Sequence, residues 1–144
     1  MEPTTAAYDP RYLGGILFFN DGEFFEAHEV WEDLWLNTAG PERKFYQGLI
    51  QAAVALYHFG NGNFRGAVKL FHSSRGYLHQ FGPLYQGLDL QAFAGQMDRC
   101  FAEVLAQPEP DPKLRPDDEQ MPVITLDPPP ASWPDRAQWA EPDD

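Results

Sequence analysis

Gly22-Glu23-Phe24-Phe25-Glu26-Ala27-His28-Glu29-Val30-Trp31 decides the fold, because its pattern returns at Gly62-Asn63-Phe64-Arg65-Gly66-Ala67-Val68-Lys69-Leu70-Phe71. Gly22, Phe24, Ala27 and Trp31 align with Gly62, Phe64, Ala67 and Phe71 at a constant offset of 40. The segments before them align too, Leu17 with Tyr57 and Phe19 with Phe59. Each copy reads as a helical hairpin. The glycine permits a tight turn, and the aromatic and alanine that follow let two helices pack closely.

Around this repeat, five helices are expected between residues 1 and 106. Asp9-Pro10 is an N-cap followed by Pro at the first helical position, and opens a helix to about Phe19. The next three run from about Glu23 to Leu36, Pro41 to Phe59 and Asn63 to Gln80, and a fifth from about Asp89 to Ala106. Asn20-Asp21-Gly22, Gly60-Asn61-Gly62 and Phe81-Gly82-Pro83 are the breaks. No convincing period-2 strand is visible. The pattern is similar to helical-hairpin repeats of the tetratricopeptide type. Two copies are fewer than a solenoid needs, so the fifth helix is expected to close the structure. The expected fold is all-α: a compact bundle of about five helices, built from two helical hairpins plus a closing helix.

Residues 107–144 differ. They hold 10 acids, 3 bases and 10 of the 14 prolines, against 12 acids and 7 bases in residues 1–106. This divides the chain into a 1–106 helical domain and a 107–144 Pro-rich acidic tail, irregular, extended or partly docked. Met121-Pro122-Val123-Ile124-Thr125-Leu126, Trp133 and Trp139 are costly to leave in water. They are expected to lie against the helices or a second subunit.

Composition excludes some partners. Apolar residues are 43% of the chain, ample for a core, and the net charge of −12 argues against nucleic acid and anionic membranes. No apolar run reaches the roughly 20 residues that span a bilayer. Met1-Glu2-Pro3-Thr4-Thr5 has no basic or apolar leader pattern. Cys100 is the single cysteine, which suits a cytoplasmic protein.

The candidate site sits on the second helix. At about 100° per residue, Phe24, Ala27, Val30, Trp31, Leu34 and Trp35 fill one arc, and Glu26, Glu29 and Asp33 the opposite, solvated side. His28 and Glu32 fall at the border beside Trp35, and Glu32 is expected to be partly buried. A buried carboxylate needs a partner. In the apolar third helix Gln47 and Gln51 share a stripe, with His58 about 10 Å further along. Arg75 falls inside the apolar arc of the fourth helix and is the expected partner of Glu32. His72 and His79 read as surface residues.

Metal motifs fit incompletely. His28-Glu29-x-x-Glu32 begins like a zincin motif but has Glu32 where the second histidine stands. His28 and Glu32 are candidate ligands for a divalent metal ion, with an amide oxygen of Gln47 or Gln51 as a weak third.

His28, Glu32 and Trp35 also match the His-x-x-x-Glu-x-x-Trp signature of domain-of-unknown-function family 309, small helical bacterial and archaeal proteins. Gly22 with Phe25-Glu26-Ala27, Gln47-Gly48-Leu49-Ile50-Gln51, and Gly62-Asn63 with Gly66-Ala67 resemble it as well, over about residues 10–80. The resemblance implies an all-helical fold and a functional, metal-binding signature. It brings no activity with it.

Three functions are therefore weighed. The leading one is a ligand- or metal-binding pocket lined by His28, Glu32, Gln47, Gln51 and Arg75 under Trp35. The second is a helical-hairpin protein-interaction module in which the His28/Glu32/Arg75 cluster is structural, as most such pairs are. The third is a metal-dependent hydrolase or lyase with Glu32 as ligand or general base. Expected partners are a small ligand or a protein, with a homodimer as one arrangement. A functional site should open as a cleft near Gln51; a structural cluster should be closed by Trp35 and Arg75.

Overall fold

A computed structural model describes residues 7–139. The Met1–Thr5 stretch and residues 140–144 of the tail lie outside the described residues. The chain is mostly helical: α1 Pro10–Asn20, α2 Phe24–Leu36, α3 Glu42–Gly60, α4 Phe64–His79 and α5 Leu90–Ala106. Caps explain the starts. The side chains of Asp9, Asn63 and Asp89 accept hydrogen bonds from the N–H groups of Arg11, Gly66 and Ala92. Gly22 and Gly62 take left-handed φ of 79° and 76°, which turns each hairpin.

Close contacts lock the helices. Trp31 is fully buried, and its indole N–H donates to Tyr12 O at 3.1 Å. Its ring lies where a Cβ on Gly15 would be, so α1 and α2 meet at van der Waals distance. Between α3 and α4, a Cβ on Gly48 would stand 2.6 Å from Leu78, and Ser74 Oγ donates to Gly48 O at 2.7 Å. α5 closes the core with Phe93 and Phe101, whose rings lie 5.9 Å from Phe19 and 5.2 Å from Phe59.

One expectation is corrected. A two-stranded antiparallel hairpin, β1 Leu84–Tyr85 and β2 Leu88–Asp89, precedes α5. Gln86 and Gly87 both have positive φ, 46° and 75°, the requirement of a tight hairpin turn.

Part of the tail lies on the helices. Pro122, Ile124, Leu126 and Pro130 are buried, whereas Trp133 is exposed. The Asn20 side chain donates to Ile124 O at 2.9 Å and accepts from Ile124 N at 2.8 Å. Leu126 bridges Leu88, and Asp127 N–H donates to Gly87 O at 2.8 Å. Trp139 covers Gly14, and Arg136 pairs with Asp21 and Glu23. Proline removes donors from this segment, and the side chains of Asn20, Gln96 and Tyr8 bond to backbone groups of Ile124, Val123 and Pro128.

Candidate functional site

His28 and Glu32 meet as a local pair, His28 Nε2 to Glu32 Oε2 at 3.4 Å across one helical turn of α2. His28 Nδ1 lies 2.8 Å from Phe25 O. With Nδ1 donating to that carbonyl, Nε2 points at the carboxylate and binds it when it too carries a proton. The pair lines an open depression of about 360 Å³ with Glu29, Asp33 and Leu36.

Two expectations about Glu32 are overturned. Its side chain is 52% exposed, so it needs no buried partner. Arg75 does not reach it: the guanidinium Nη2 donates to Ala94 O at 3.1 Å and to Asp98, both on α5. The reason is tertiary. α4 turns Phe71, Ser74 and Leu78 inward, and this rotation leaves Arg75 beside α5 rather than α2.

Trp35 follows one turn beyond Glu32 and is half-buried. Arg43, at the start of α3, lies over its ring at 3.9 Å and donates through Nε to Trp35 O at 3.3 Å. α3 runs back along α2, as the Phe25–Tyr57 ring contact at 5.5 Å shows. Counting along the antiparallel pair from that contact sets Gln51 and Gln47 level with Trp31 and Trp35. Trp35 Nε1 and Gln51 Oε1 are buried without a hydrogen-bond partner among the described residues. His58 faces away, with Nδ1 3.3 Å from the Asn63 amide at the next turn. His72 and His79 are exposed.

The donor set for a metal is short. Among the described residues no three His, Cys, Asp or Glu side chains converge to hold an ion. His28 and Glu32 alone give two ligands, fewer than the three strong ones of a catalytic zinc.

Other side chains define the site. Phe25, Leu36 and Tyr57 are 43%, 63% and 40% exposed. Phe25 stacks edge-on to His28 at 5.1 Å. The sequence carried a signal for Phe25: it lies about 100° off the core arc that begins at Phe24, so its ring must emerge at the surface.

Fold and site together define an all-α protein of two helical hairpins that carries an aromatic, acidic face on the first. Residues 12–70, from α1 into α4, match the model of a protein family described as Domain of unknown function (DUF309). An uncharacterized protein of Aquifex aeolicus (strain VF5) is 46% identical over 46 residues, 31% of this chain and 14% of that protein. Uncharacterized protein YpuF of Bacillus subtilis (strain 168) is 36% identical over 69 residues, 46% of this chain and 40% of that protein. The chain thus spans less than half the length of either relative. No helix among the described residues is long and apolar enough to cross a membrane.

Proposed function

We propose that the α2–α3 face is a protein-docking surface and that the chain acts as a helical-hairpin interaction module. The observation that carries this reading is the grouping of Phe25, Leu36 and Tyr57, exposed apolar side chains, around His28 and Glu32. Clustered exposed aromatics mark interaction sites, whereas scattered ones mean little. Glu26, Glu29, Glu32 and Asp33 surround them and ask for a partner that offers Lys or Arg beside an apolar side chain. The depression is open, as suits a side chain of another protein more than an enclosed small molecule.

Hydrogen exchange on the full chain tests this with a synthetic amphipathic Lys/Leu helix as probe. Protection is expected in residues 25–36 and 50–58. Protection spread over the acidic residues 107–139 instead would reduce the binding to general charge attraction and end the proposal.

A second reading rests on the unpaired Trp35 Nε1 donor and Gln51 Oε1 acceptor. A carboxamide group presents the complementary acceptor and donor, and Arg43 is the exposed side chain that would move to admit it. Titration with propionamide should shift the Trp35 indole N–H resonance, and Gln51→Leu should abolish the shift. An unmoved indole resonance rejects the second reading alone.

A further inference from the structure

A cleft of about 320 Å³ opens between α4 and the beginning of α5, on residues separate from the α2–α3 face. Phe71, Leu78, Leu90, Phe93 and Met97 form its apolar walls. Gly82 and Pro83, leading into the β1–β2 hairpin, close one end. Arg75, paired with Asp98, and His79 stand one turn apart on α4 at the rim, and among the described residues no Asp or Glu lines the cleft itself.

The charge at this rim is unusual for the chain. The net charge is −12, yet α4 carries Arg65, Lys69, His72, Arg75 and His79 and no acid. All five are exposed, and at about 100° per residue they fall within one arc of roughly 120°. Arg75 is also positioned. Its guanidinium carbon lies 5.1 Å from the centre of the Phe71 ring, and Nη2 is anchored on Ala94 O and Asp98. Its Nη1 and Nε donate to no protein acceptor among the described residues. Nη1 keeps free N–H groups, so this fixed guanidinium above an apolar cleft can give one charge-assisted hydrogen bond to a carboxylate attached to an apolar body.

We propose that this cleft binds a free medium-chain monocarboxylate, with the chain among Phe71, Leu78, Leu90, Phe93 and Met97 and the head group on Arg75 beside His79. The volume sets the size. It is roughly twice the ~150 Å³ cavity that takes up one benzene ring, so a body on the order of ten carbons fills it. It is far too small for a partner helix, about 10 Å across.

Calorimetric titration of the full chain with straight-chain carboxylates, below their micelle concentrations, tests the proposal. Affinity is expected to rise about fourfold per methylene from hexanoate to decanoate. Decanoate should bind at least tenfold more tightly than decylammonium. Arg75→Gln should remove the preference of decanoate over decanol while decanol binding persists. Gln91→Trp, at an exposed position on the cleft wall, should weaken both ligands without unfolding the chain, and Met97→Trp provides an independent block from within. The proposal is overturned by an affinity independent of chain length, by equal binding of decanoate and decylammonium, or by two folded blocking variants that bind as the parent does.

Discussion

α2 and α4 occupy equivalent places in the repeat and share its inner frame, yet their outer faces are opposite. Inside, Phe24, Ala27 and Trp31 correspond to Phe64, Ala67 and Phe71. Outside, Glu29 and Glu32 of α2 correspond to Lys69 and His72 of α4. The frame is a matter of packing and repeats with small adjustments. Where α2 has the larger Trp31, α1 offers Gly15 against it; where α4 has Phe71, the position equivalent to Gly15 is Ala55. The outer faces are free of that constraint. One is acidic and aromatic, the other basic above an apolar cleft.

The largest effect is expected at Trp31. Trp31→Ala should cost about 3–5 kcal/mol in a urea unfolding experiment, because it empties a fully buried site. Gly15→Ala should cost about 1–3 kcal/mol by overpacking. Adding Trp31→Phe to it recreates the Ala/Phe combination of the second hairpin and should recover part of the loss. A double variant no better than the sum of the singles would show that the two hairpins are not equivalent in packing.

The tail sharpens the same contrast between frame and surface. Asn20→Ala removes both hydrogen bonds to Ile124 and should cost about 1–3 kcal/mol. Hydrogen exchange should accelerate across residues 121–127 while α3 stays protected. If protection of residues 121–127 is unchanged, the tail is held by burial of Pro122, Ile124 and Leu126 alone.

High pH probes buried groups on α1 and the closing helix α5. Burial, with Asp117 adding to it, pushes the Cys100 thiol up to about 12, and burial raises the Tyr12 hydroxyl well above its ordinary value. Both groups hold their protons more tightly folded than unfolded. Their effect on stability is therefore constant below the unfolded values of about 9 and 10, and stability falls as pH rises beyond them towards 12. Urea midpoints measured from pH 8 to 11 should show this decline, and Cys100→Ala should remove the part that begins near pH 9.

The smallest effects belong to the outer faces. Glu32→Gln and Arg75→Gln break exposed pairs and should each change stability by less than about 1 kcal/mol.

Local features were legible in the sequence. Asp9-Pro10, Gly22 and Gly62-Asn63 mark turns and caps through their own backbone chemistry, and α1, the start of α2, the end of α3 and the start of α4 lie within a residue or two of those marks. The His28–Glu32 contact was legible because one helical turn fixes it. Arg75 was misassigned because a helical wheel gives an angle but not the neighbour that waits there. The β1–β2 hairpin has two residues per strand, too few to show alternation. The tail did carry a signal: Pro122, Ile124 and Leu126 are buried and alternate with exposed Val123, Thr125 and Asp127. Acid and proline content masked that period of two.

The central claim is that the acidic, aromatic face of α2 serves docking rather than folding. Its most direct test is the affinity of the Lys/Leu helix for Glu32→Lys, measured beside the unfolding midpoint of the same variant. Affinity should fall at least tenfold with the midpoint nearly unchanged. An unchanged affinity, or a variant that unfolds, would contradict it.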